Sequence, residues 1–177
     1  LYNILGSTNK KLGKPEEAIE AYKKAIAIKP DYAAAYNNMG NALKDQKKLE
    51  EALEAFNKAL SIKPDYAAAY YNIGIVLQEQ GRTKEAIEAF KRTISIKPNY
   101  VDAYNDMGIA LEYENSQEKA LEAFNKALSI KPDFAIALNN KGCILNDQGK
   151  TKEALAAFNK ALSIKPDYAE VHRHLSA

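Results

Sequence analysis

Asn38, Asn72 and Asn140 occupy one slot of a pattern that recurs every 34 residues, with Asp106 in the slot between the last two. A side-chain amide carries both a donor and an acceptor, so it can pair with the N–H and the C=O of a peptide unit. A row of such amides at a fixed interval suits a grip on extended backbone that disregards side-chain identity. Other chemistry-bearing residues are sparse. Cys143 is the single cysteine, which leaves no internal disulfide and no cysteine-based metal site. His172 and His174 have no carboxylate or cysteine at ligand spacing and read as a solvated helix surface, while Cys143, with no histidine near it in sequence, reads as a packing or groove residue. Glu50, Glu51 and Glu85 fall at helix starts, where negative charge meets the helix dipole. No nucleophile with its base, no metal cluster and no glycine-rich phosphate loop is present, so neither an enzyme nor a metal or cofactor is expected.

The elements that position the amides follow from the period. Pro30, Pro64, Pro98, Pro132 and Pro166 stand 34 residues apart, and the run AFNKALSIKPD occurs at Ala55–Asp65, Ala123–Asp133 and Ala157–Asp167. A period of this length marks stacked supersecondary units. The 177 residues therefore divide as a single array, 1–177, with units 1–32 (incomplete), 33–66, 67–100, 101–134 and 135–168, and the start of a sixth at 169–177. In the unit 33–66, Tyr36, Met39, Gly40 and Leu43 form one apolar stripe at helical spacing, and Ala52, Phe56, Ala59 and Leu60 form a second. Gly13, Gly81 and Gly149 mark the break between the two, where a helix end favours a left-handed residue, and Lys47–Lys48 stand there in the second unit. Proline stops the second helix, and Asp65 is placed to cap the next; Asn99 with Asp102 and Asp167 with Glu170 resemble capping boxes. Each unit reads as two helices of about 12–14 residues, held by small residues (Gly40, Ala52) at close approach and large ones (Tyr36, Phe56) reaching the adjacent unit.

Hydrophobic residues make up 46% and charged ones 27%, as in a folded protein, and the net charge of +2 does not call for nucleic acid. No apolar run approaches the ~20 residues that cross a bilayer, and no secretory signal is visible, so no membrane partner and a cytoplasmic setting are expected. The chain opens at Leu1 without an initiator Met, and the expectation is a segment of something longer.

The order Tyr36, Met39–Gly40, Leu43, Ala52, Phe56, Ala59, Pro64 resembles the tetratricopeptide repeat signature, and it returns as Tyr70, Ile73–Gly74, Leu77, Ala86, Phe90, Pro98 and again from Tyr104 to Pro132. The wording AYNNMGNALKDQ and SIKPDY is similar to repeats of the superhelix in O-linked N-acetylglucosamine transferase-like proteins. The resemblance implies an all-α fold, a right-handed α-solenoid of antiparallel helix pairs whose first helices line a concave surface. On that surface it places Asn37, Asn38 and Asn41, Tyr71 and Asn72, Asp102, Asn105 and Asp106, and Asn139 and Asn140.

The implied function is a scaffold that binds protein or extended peptide, with asparagines gripping the backbone. The unit 101–134 has three lysines against seven acids, and with Asp102, Asp106 and Glu112 facing inward it favours neutral or basic peptides. A clamp for a terminal carboxylate, used elsewhere in this family, needs cations where Asp102 and Asp106 stand, and these acids repel it. Two alternatives accompany the leading reading: a substrate-presenting module of a larger bacterial-type glycosyltransferase or sulfotransferase, and a self-assembly module stacking end to end.

Overall fold

The computed structural model describes residues 1–175, and all regular structure among them is helical, in eleven helices. Packing divides the chain into two compact units, Leu1–Lys97 and Pro98–Ala177. The first holds α1 (Tyr2–Lys11), α2 (Pro15–Ile28), α3 (Ala33–Asp45), α4 (Leu49–Ile62), α5 (Ala67–Glu79) and α6 (Thr83–Ile96). The second holds α7 (Val101–Tyr113), α8 (Gln117–Ile130), α9 (Ala135–Asp147), α10 (Thr151–Ile164) and α11 (Ala169–Leu175). Odd-numbered helices are the first of each repeat, and each of the first five packs on the even-numbered helix that follows it. Within the first unit α2 also packs on α3 and α4 on α5, while in the second α8 packs on α9.

The seam inside each pair is set by one glycine and one ring. A Cβ added at Gly40 would lie 2.6 Å from the Phe56 ring, and Gly6, Gly74, Gly108 and Gly142 meet Tyr22, Phe90, Phe124 and Phe158 in the same way. The glycine is therefore the groove into which its own repeat's aromatic fits, and the ring is fully buried in the case of Phe56, Phe90 and Phe124. The role expected for Phe56 shifts accordingly. Its ring first fills the space over Gly40, and it then joins Val76 of the following repeat in a shared cluster.

Each of the first five first helices is followed by a left-handed residue: Gly13, Gly81 and Gly149, but also Lys47 (φ 61°) and Asn115 (φ 55°). In the second repeat the Lys48 N–H bonds the Leu43 carbonyl at 3.0 Å and the Lys47 N–H bonds Lys44 at 2.8 Å, the two bonds of a Schellman ending. Repeats join through Lys-Pro-Asp-Tyr, with Asn99 in place of the acid at the third junction and Phe134 in place of the tyrosine at the fourth, a turn closed in the first two by the Tyr32 and Tyr66 N–H groups on the Lys29 and Lys63 carbonyls, both at 3.2 Å. The lysine ammonium returns over the aromatic ring, 5.6 Å from Tyr32 and 5.3 Å from Tyr66. This turn corrects the capping expectation. The N-caps are Tyr66 and Tyr100, not Asp65 and Asn99, and neither makes a side-chain capping bond. Asp167 likewise lies two residues ahead of α11. Asp65, Asn99 and Asp167 thus lie inside the turn, two residues ahead of the first helical residue.

Candidate functional site

The recurring asparagines join neighbouring first helices. Asn38 Nδ2 donates to Asn3 Oδ1 at 3.1 Å, linking α3 to α1, and Asn72 Nδ2 donates to Asn37 Oδ1 at 3.0 Å, linking α5 to α3. In the second unit Asn140 Nδ2 donates to Asn105 Oδ1 at 3.2 Å, linking α9 to α7. Each bond spans 35 residues, one repeat plus one helix position. This divides the expected site in two. Asn37, Asn105 and Asn139 do not face open solvent: they are 5%, 4% and 4% exposed. For Asn37 and Asn105 the reason is the next first helix, whose asparagine covers each of them. Asn38, Asn72 and Asn140 are half-buried, and each retains an amide oxygen and a second N–H with no partner among the described residues.

The same 35-residue step carries Asn139 to His174, and there the pattern fails. Asn139 Oδ1 is buried without a hydrogen-bond partner. The His174 ring instead stacks on Phe158, centroids 5.4 Å apart, with Nε2 3.3 Å from Cys143 Sγ. The thiol thus does have a histidine beside it, 31 residues away in sequence, because the repeat returns α11 to the neighbourhood of α9. The pair does not make an activated nucleophile. Burial, followed by the charges of Glu112, Asp147 and Glu170, pushes the Cys143 thiol up to about 11, which holds it protonated.

Of the remaining expected residues, Asn41 and Tyr71 are half-buried, with the Tyr71 ring tilted against Phe90 at 5.9 Å. Asp102 is exposed, and Asp106 accepts a bond from Asn105 Nδ2 at 3.0 Å. Charges along the first helices differ between the units. In the first, Lys10 pairs with Asp45 at 3.1 Å and Lys47 with Glu79 at 2.9 Å. In the second, Glu112 has no ion pair or hydrogen bond among the described residues, and burial together with Asp147 raises its pKa. Burial, Asp102 and Asp106 likewise raise that of Tyr100. Glu112 lies in a pocket of about 450 Å³ with Ile109, Tyr113, Asn115 and Asn140. Glu112 and Tyr113 stand at helical spacing with Ile109 on α7, which the sequence shows; Asn115 carries no such signal, since it lies on the turn after α7. Two other pockets, about 410 and 450 Å³, lie in the first unit over Tyr36, Met39 and Leu43 and over Tyr70, Ile73 and Leu77, rimmed by cations and acids alike.

Profiles of the tetratricopeptide repeat match residues 31–99, 101–134 and 135–168, and a TPR repeat profile matches 6–47. The chain belongs to the tetratricopeptide repeat family. No curated protein matches it. Among solved tetratricopeptide-type structures it is similar to MamA, at 30% identity and a TM-score of 0.82 over 93% of this chain and 96% of that one. It is also similar to YrrB, described as a TPR protein with an unusual peptide-binding site, at 25% identity and a TM-score of 0.79 over 99% and 91% of the two chains. Pseudomonas aeruginosa pilF shares the fold, at 20% identity and a TM-score of 0.85 over 99% and 80%. The similarity in wording to the glycosyltransferase repeats finds no counterpart in these neighbours, so it carries no activity to this tetratricopeptide repeat chain. No helix among the described residues is long and apolar enough to cross a membrane.

Proposed function

We propose that this tetratricopeptide repeat chain is a binding scaffold for extended peptide segments, held along the first-helix faces. One observation carries the reading: Asn38, Asn72 and Asn140 recur at one position, are fixed by a bond to the preceding repeat, and keep one acceptor and one donor open. Fixing the amide in advance lowers the ordering cost of binding, because its rotamer is already chosen. A net contribution of about 0.5–1.5 kcal/mol per hydrogen bond places the amides alone in the millimolar to tens-of-micromolar range. The acids of the second unit favour neutral or basic peptides and disfavour a terminal carboxylate. The peptide-binding description of YrrB supports the same class of ligand.

The test is titration of 15N-labelled protein with an extended peptide, comparing the parent with the triple variant Asn38→Ala, Asn72→Ala, Asn140→Ala. The triple variant should lose binding. Asn37→Ala, which removes a bond between helices but leaves the Asn72 amide in place, should retain most of it. Equal affinity of the triple variant and the parent refutes the amide grip.

A second reading has its own observation. Ile4, Leu5 and Leu12 of the first repeat are exposed, which favours association between copies. Light scattering over a concentration series tests it, and a constant monomer mass at the highest concentration removes it.

A further inference from the structure

We propose that the pocket formed by Ile109, Glu112, Tyr113, Asn115 and Asn140 receives a cationic side chain of the bound peptide, arginine in preference to lysine. This rests on the first-helix reading above and names what the second unit selects. The pocket, about 450 Å³, is built by three residues of α7 at helical spacing, the turn that follows α7, and one residue of α9. Its walls divide by chemistry. Ile109 offers an apolar surface to a methylene stem, and Tyr113, 74% exposed, offers the face of its ring. Among the described residues the Glu112 carboxylate has neither ion pair nor hydrogen bond, and the Asn140 oxygen has no partner, only its Nδ2 being bonded.

The polar groups left open by Glu112 and Asn140 are therefore acceptors, apart from the second amide N–H of Asn140. A group with several donors in one plane can satisfy a carboxylate and a carbonyl oxygen together while its flat face lies against an aromatic ring. A guanidinium does so, whereas an ammonium presents its donors about a point. The same register elsewhere lacks these features. The counterparts of Glu112 are Lys10, Lys44, Gln78 and Asn146, none of them acidic, and those of Tyr113 are Lys11, Asp45, Glu79 and Asp147, none of them aromatic. Asp147 is the charged group acting on Glu112, and its sign matches, so a cation beside Glu112 offsets a repulsion.

The experiment uses the whole chain, 15N-labelled, and four acetylated, amidated peptides of sequence Ser-Ala-Xaa-Ala-Ser with Xaa as Arg, citrulline, Lys or Glu. Citrulline keeps the shape of arginine and removes the charge. The Arg peptide should shift the amides of Ile109, Glu112 and Tyr113 and bind about tenfold or more tightly than the citrulline peptide, with Lys between them and Glu weakest. Glu112→Gln should abolish the preference, and Tyr113→Ala should reduce it several-fold. Circular dichroism establishes that both variants are folded. Equal affinity for the Arg and citrulline peptides in the parent, or an unchanged preference in Glu112→Gln, overturns the pocket assignment. In either case the first-helix reading stands as long as the citrulline peptide still shifts α3, α5 or α9. If no peptide shifts any first helix, both fall.

Discussion

Gly74→Ala should destabilise the protein although alanine is the better helix former. Within a helix the exchange contributes about 1 kcal/mol in alanine's favour. Against it stands the Phe90 ring: the new Cβ would lie 2.5, 2.7 and 2.9 Å from Cε1, Cδ1 and Cζ, and the ring is fully buried with no solvent side to move into. Overpacking of this kind costs about 1–3 kcal/mol, and three ring atoms inside contact distance place this site in the upper half, for a net loss of about 1–2 kcal/mol. Gly81→Ala is the control, since it meets nothing within 4 Å and loses stability only through its φ of +73°. Urea unfolding followed by far-ultraviolet circular dichroism gives the two losses, and hydrogen exchange in α5 and α6 localises the first. Phe90→Leu removes part of the ring and should cost less in the Gly74→Ala background than in the parent, a coupling of about 1 kcal/mol. A Gly74→Ala protein as stable as the parent, or additive double-variant energies, would refute the glycine-and-ring seam.

Lys47→Gly should stabilise by about 0.5 kcal/mol, because relief of the left-handed strain outweighs the added chain entropy and the loss of an exposed ion pair to Glu79; urea midpoints check it, and Asn115→Gly should gain less. Glu112→Gln should raise stability near pH 7 and leave it nearly unchanged at about pH 3.5. A carboxylate whose folded pKa is raised binds its proton more tightly when folded, so its contribution falls as pH rises from the ordinary carboxylate range through the raised value; thermal melts at the two pH values give the comparison. Cys143 should react with iodoacetamide at least about tenfold more slowly than free cysteine near pH 8, and Glu112→Gln with Asp147→Asn should speed it, as read by mass spectrometry.

The helices, their pairing and the break at each first-helix end are legible in the sequence because they rest on local rules: stripe spacing, a glycine that fits a left-handed residue, a proline that stops a helix. Lys47 shows the limit of that legibility. Only its register with Gly13 and Gly81 indicates a positive φ, and nothing in its own chemistry does. Capping escapes the sequence for a local reason as well, since the turn hydrogen bond and the lysine over the ring move the N-cap one residue past Asp65. The site is less legible. Which of two adjacent asparagines faces outward depends on how far the next first helix leans over, so Asn37 and Asn38 look alike in sequence and differ in the fold. Cys143 and His174 meet for the same reason, by a 31-residue return that becomes visible only once neighbouring helices are in register.

The Lys-Pro turns also decide how the chain can be cut. Trypsin cleaves after lysine and arginine but does not cleave before proline, whose ring removes the N–H and fixes φ. The bonds Lys29–Pro30, Lys63–Pro64, Lys97–Pro98, Lys131–Pro132 and Lys165–Pro166 are therefore refractory, and every junction between repeats is protected. Lys47, Lys48, Arg82 and Lys150, exposed on the short turns inside repeats, are the accessible sites. Limited digestion should accordingly release 49–82, which begins with a second helix, ends with a first and carries an intact junction at its centre, and 83–150, which does the same with two junctions because no lysine or arginine stands on the turn inside the fourth repeat. Such fragments would be circularly offset repeats, and their stability would report how much of the fold resides in the junction and how much in the pair.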